Sequence, residues 1–132
     1  MTSCVFCERL ASDDVTAASE LAAVFPDAFP LTRGHILILP RRHESDYFRL
    51  TRDEQAAMWE LVNALRDRFA SEQRTDGFNL GVNVGAAAGQ TVGHAHIHVI
   101  PRYAGDVDDP RGGIRWIIPA KARYWEARDT GH

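Results

Sequence analysis

Cysteine is scarce in this chain of 132 residues: there are two, Cys4 and Cys7, in a single Cys-x-x-Cys. A small disulfide-stapled scaffold is therefore excluded, since such folds need several pairs in a short chain. Long apolar runs are missing as well, so no membrane span is expected. The opening residues Met1-Thr2-Ser3-Cys4-Val5-Phe6 lack the apolar stretch of a secretory signal, and the expectation is a cytoplasmic protein. Charge of one sign is not in excess: the formal net charge of −3 argues against general nucleic-acid binding. No cluster of Asp and Glu has the look of a magnesium site, which disfavours metal-assisted phosphoryl transfer.

What is present is an ordinary globular composition, 45% hydrophobic and 25% charged, in a length that suits a single domain over residues 1–132. Residues 1–10 carry the cysteines and a helical turn, and 11–18 read as a polar loop. Leu21-Ala22-Ala23-Val24-Phe25 reads as a strand. The two prolines and Gly34 of residues 26–34 force a turn. His35-Ile36-Leu37-Ile38-Leu39 is an aliphatic run stopped by Pro40, as in a buried central strand, with Arg41, Arg42 and His43 at its exit. Thr51 and Glu54 form a capping box, and Met58, Leu61, Val62, Leu65 and Phe69 fall at helical spacing, predicting a helix to about Glu72 with this stripe in the core. Phe78 to Val84 alternates as a strand, and a small-residue loop, Gly85 to Thr91, leads to the next one. Two strands so joined should pair antiparallel, and the loop's backbone N–H groups could meet an anion. Beyond Pro101 the chain turns polar. Ile114 to Ile118 reads as a short strand or docking segment, and Ala120 to Arg128 as a terminal helix or tail. The sum is an α+β layer fold.

Half of the chain's six histidines fall in Gly93-His94-Ala95-His96-Ile97-His98-Val99-Ile100-Pro101. On a strand, alternate residues share a face and lie roughly 7 Å apart, so one ligand can touch more than one imidazole. Three readings follow: a solvated strand face, a metal site, or nucleophilic catalysis by an imidazole with neighbours that handle charge. The spacing alone leaves them open. The Cys-x-x-Cys is either a redox pair or half a metal site, and its place with no strand before it favours metal, with two further ligands still to be found.

Gly89-Gln90-Thr91-Val92-Gly93-His94-Ala95-His96-Ile97-His98-Val99-Ile100-Pro101-Arg102 resembles the signature of the histidine triad (HIT) superfamily, and Asp27, Gly34 to Pro40 and Asn83 are similar to residues at matching positions. The resemblance implies a HIT-like fold, an antiparallel sheet with one long helix and a C-terminal tail, assembled as a homodimer. It implies a nucleotide substrate cleaved at the α-phosphorus through a nucleotidyl-histidine intermediate. The substrate class is a dinucleoside polyphosphate or a nucleoside phosphoramidate. A nucleotidyl transferase, or a nucleotide-binding module with weak catalysis, is the alternative. Within it His96 resembles the nucleophile, His98 the neighbour that contacts phosphate, and Gln90 and Thr91 contacts to phosphate or leaving group. Asn83 resembles a further phosphate-side contact, Asp27 the acid that holds the ribose hydroxyls, and His35 a supporting histidine. Members with an N-terminal Cys-x-x-Cys hold a structural zinc, which implies Cys4, Cys7, His43 and His94 as ligands. Gly93 and the tail after Arg102 depart from familiar members, and tails help set substrate choice.

Overall fold

Five strands form the frame that positions the histidines. In the computed structural model, which describes residues 3–129, they are β1 (Ala17–Ala18), β2 (Ala22–Pro26), β3 (Ile36–Pro40), β4 (Gly77–Gly81) and β5 (Ile97–Arg102). They lie in the order β1-β2-β3-β5-β4, and each neighbouring pair is antiparallel. The long helix α2 (Arg52–Glu72) starts at the expected capping box: Thr51 Oγ1 accepts the Glu54 N–H, and the Glu54 carboxylate accepts the Thr51 N–H. Its stripe of Met58, Val62, Leu65 and Phe69 packs on Ala22, Val24, Ile36, Ile38, Ala95, Ile97 and Val99. A fully buried side chain of this kind contributes roughly 2 kcal/mol. The opposite face of the sheet is covered by α1 (Val5–Ala11), where Phe6 joins Phe25, Leu37 and Leu39. Arg9 clamps this helix, with its guanidinium 3.8 Å from the Phe25 ring centroid and an N–H donated to the Pro26 carbonyl.

Gly34 turns the chain into β3 with a φ of +92°, and a Cβ there would stand 2.8 Å from Gln73 Oε1 and 3.1 Å from Phe69. Only glycine satisfies both the left-handed backbone and the close approach of α2, and His35 follows it directly.

Four elements differ from the sequence expectations. The strand containing the histidines begins at Ile97, so His98 is the one triad member within it. The reason is local: the Ala95 N–H donates to the Glu44 carbonyl and the His94 carbonyl accepts from a side chain, so neither serves a ladder. β4 consequently stops at Gly81 rather than Val84. The alternation of faces survives, because Ala95, Ile97 and Val99 are in the α2-side core while His94 and His96 meet Phe6 on the other side. Ala17 and Ala18, expected in a loop, form a short strand against β2. Ile114 to Ile118 is not extended: Gly112 and Gly113 take positive φ values of 94° and 47°, and a 3-10 helix follows over Gly113–Ile117.

Internal contacts divide the chain into two compact units, Met1–Arg102 and Tyr103–His132. The second holds two 3-10 turns and α3 (Tyr124–Asp129). It is knit by Arg111 over the Trp125 ring at 4.3 Å and by the Trp116 indole N–H donating to the Arg111 carbonyl.

Candidate functional site

Three histidines, His35, His94 and His96, each have one ring nitrogen whose state a backbone group decides, and His35 in turn sets His98. The His96 Nδ1 lies 2.8 Å from the His94 carbonyl oxygen. An oxygen there can only accept, so Nδ1 carries the proton and Nε2 keeps its lone pair. His94 Nε2 lies 2.8 Å from the Pro40 carbonyl oxygen, so it donates and Nδ1 is the free lone pair. His35 Nδ1 accepts the Leu31 N–H at 3.0 Å, which places the His35 proton on Nε2. That nitrogen is 3.0 Å from His98 Nδ1. His98 therefore accepts at Nδ1 and bears its own proton on Nε2. A bare Nε2 on His96 stands next to a ring with Nε2–H, the two centroids 5.0 Å apart.

Asp27 closes the group. Its Oδ1 accepts the Phe29 N–H, and its Oδ2 lies 3.4 Å from His35 Nε2 and 3.8 Å from His98 Nδ1. Burial holds the His96 and His35 imidazoles below their ordinary pKa despite the raising effect of Asp27. Burial, then the neighbouring His96 and His35, press His98 down to about 4. At neutral pH these rings are neutral, as a nucleophilic imidazole must be.

The remaining expected residues are arranged less directly. Gln90 spends its amide on the backbone: Oε1 accepts the Gly85 N–H, and Nε2 donates to the Ser45 and Val92 carbonyls. It fastens the 85–91 loop ahead of the triad. Asn83, half-buried, lies two residues past Gly81, which pairs with His98. Thr91 is exposed on the loop. A cavity of about 590 Å³ borders Asp27 and His35, but it is lined by Ile36, Leu65 and Phe69 on the α2 side, and neither His96 nor His98 lines it.

Cys4, Cys7, His43 and His94 come together as a possible metal site. His94 Nδ1 is 3.6 Å from each sulfur, and His43 Nδ1 is 3.3 Å from Cys7 Sγ. Tetrahedral zinc, with bonds of about 2.3 Å to sulfur and about 2.0 Å to nitrogen, sets ligand atoms about 3.5 Å apart. The free lone pair of His94 faces the thiols, and its other nitrogen is held by Pro40, as an outer-shell partner should hold it. Burial, the bond to Cys4 and nearby negative charge push the Cys7 thiol up, so a cation is what would favour the thiolates. The donor set fits a metal. Asp27, His35 and His98 also lie within ligand distance of one another. They do not fit one, because the Leu31 N–H leaves His35 Nε2 protonated.

Sequence reasoning did not single out Phe6, whose buried ring meets His96 edge-on at 5.0 Å. Nor did it find the Leu31 N–H. The only sequence signal for Phe6 is its place between the cysteines.

A model of the HIT domain matches residues 8–105. "Protein hit" of Bacillus subtilis is 35% identical over 109 residues, which span 76% of this chain and 72% of that protein. The bifunctional bis(5'-adenosyl)-triphosphatase/adenylylsulfatase FHIT of Arabidopsis thaliana is 32% identical over 95 residues, 72% of this chain and 53% of that one. Among solved structures, a Zn-bound histidine triad family protein from Mycobacterium smegmatis is similar with a TM-score of 0.72 at 32% identity, covering 95% of this chain and 97% of that one.

Proposed function

The chain belongs to the histidine triad (HIT) family, matched over residues 8–105, and from that premise we propose that it is a nucleotide hydrolase acting at the α-phosphorus of a dinucleoside polyphosphate or a nucleoside phosphoramidate. The observation that carries this reading is the pair of ring states: His96 with a free Nε2 lone pair, His98 with an Nε2–H. In the first step His96 Nε2 bonds to phosphorus and the bond to the leaving group breaks. The ring becomes cationic, and its Nδ1–H bond to the His94 carbonyl strengthens as it does. His98 donates its Nε2–H to a phosphoryl oxygen or to the bridging atom, an oxygen that leaves as polyphosphate anion or a nitrogen that takes a proton as it leaves as amine, with His98 reprotonated from solvent. In the second step water attacks phosphorus, the N–P bond breaks, His96 returns to neutral and a proton leaves to solvent.

His35 keeps His98 in the donating tautomer. Asp27 accepts the ribose hydroxyls, a role suited to a carboxylate. Asn83, Thr91 and the loop amides, with Gln90 holding the loop in place, are offered as phosphate-side contacts. Cys4, Cys7, His43 and His94 hold one structural zinc ion that ties the N-terminus to the sheet, a reading supported by the ligand spacing and by the zinc in the Mycobacterium smegmatis relative. The working unit is taken to be a homodimer, as the family resemblance implies.

The test is turnover of diadenosine tetraphosphate and adenosine 5′-phosphoramidate by wild type and His96→Ala. We expect hydrolysis of at least one by wild type and a loss of about 10³-fold or more in the variant. Nucleotide binding without turnover of either would overturn the hydrolase reading in favour of a transferase or binding module.

A further inference from the structure

We propose that Phe6 is a positioning residue for His96 and couples the cysteine–histidine cluster to the nucleophile. The inference rests on His96 being that nucleophile. Helix α1 carries Phe6 between the two thiols, and Cys4 caps this helix, its Sγ accepting the Cys7 N–H at 3.4 Å. The Phe6 ring is 7% exposed. It stands on His96 with an interplanar angle of 89°, on Phe25 at 5.3 Å and on His94 at 6.0 Å between centroids.

Three contacts thus hold the His96 ring: the Nδ1–H bond to the His94 carbonyl, the edge-on contact with Phe6, and the His98 ring at 5.0 Å between centroids. A perpendicular ring packed on an imidazole resists the χ2 rotation that would break the hydrogen bond. The first two are rooted in the same cluster. His94 turns its Nδ1 to the two sulfurs, and Phe6 stands on α1 between the two cysteines in sequence, on the helix that Cys4 caps. A ligand bound by Cys4, Cys7, His43 and His94 would fix both at once, and opening the cluster would release both. A misplacement of about 1 Å in a reacting group costs on the order of 100-fold in rate, so a partial loosening is enough to matter.

The experiment compares wild type, Phe6→Ala, Phe6→Leu and Cys4→Ser, each purified from zinc-supplemented medium. Three readouts are taken: zinc per chain by native mass spectrometry, the His96 tautomer from long-range ¹H–¹⁵N spectra at neutral pH, and kcat and KM on diadenosine tetraphosphate. In Phe6→Ala we expect zinc retained, KM unchanged, kcat lower by about tenfold and a mixture of His96 tautomers. Phe6→Leu, which keeps most of the buried volume, should fold and restore part of kcat. Cys4→Ser should lose zinc and shift the His96 spectrum the same way. A wild-type spectrum and kcat in both Phe6 variants would overturn the positioning role. So would a rise in KM at constant kcat, which would make Phe6 a substrate contact. Loss of zinc in Cys4→Ser with an unmoved His96 spectrum would overturn the coupling. If the wild-type protein turns over no substrate, the functional reading fails, while the spectra still decide the role of Phe6.

Discussion

The His98 imidazole titrates near 6.5 when free and at about 4 in the fold, where burial and the neighbouring His96 and His35 rings disfavour its charge. Between those two values the unfolded chain holds a proton that the folded chain excludes. Stability contributed by this group is therefore fully present above pH 6.5 and is lost as pH falls towards 4, by up to roughly 3 kcal/mol. Urea unfolding of wild type and His98→Asn across this range should give a shallower acid decline for the variant, and parallel curves would contradict the assignment. The three histidines were legible in the sequence by their alternation. The ring states were not, because two of them depend on groups far along the chain, Pro40 for His94 and His35 for His98, and the others on a nearby backbone group that residue type does not reveal. His35 and His98 are 63 positions apart and meet only through the β3–β5 register that pairs Leu37 with His98. A backbone carbonyl such as that of Pro40, or an N–H such as that of Leu31, leaves no trace in residue type.

The elements that could be read from the sequence are those whose signal is local. Helix α2 is bounded by a capping box at one end and carries its stripe at a 3.6-residue period, and both lie within its 21 residues and the N-cap before them. Its start also has a long-range partner: Arg42, next to His43, donates two N–H bonds to the buried Glu54 carboxylate, which lowers the Glu54 pKa. Thr51→Ala should thus cost about 1 kcal/mol in denaturant unfolding, as the loss of one cap bond does. Glu54→Ala should cost about twice that, since it removes the reciprocal cap bond and leaves Arg42 without its acceptor. Equal losses would show that the Arg42 pair contributes nothing. Ile114, Ile117 and Ile118 suggested extension because branched side chains favour strands. The paired glycines before them override that preference by turning the backbone, and a two-residue strand such as β1 offers no periodicity to find.

At the scale of the whole molecule, one cluster joins positions 4, 7, 43 and 94 and so ties the first helix, the exit of β3 and the approach to β5. Residue types and the family resemblance named these four residues together, but only the folded chain brings their donor atoms within 4.8 Å of one another and shows that His94 also supplies the carbonyl that sets His96. The motifs that carried the resemblance end at Arg102, so the sheet and long helix were legible from them and the unit that follows was not. The proposed mechanism bonds the free Nε2 of His96 to phosphorus. The direct measurement is rapid mixing with diadenosine tetraphosphate, an alkaline quench that preserves the acid-labile N–P bond, and peptide mass spectrometry. The account predicts one nucleotidyl group on the peptide spanning His94 to His98, mapped to His96 and absent in His96→Ala. Turnover with no adduct, or an adduct on another residue, would contradict it.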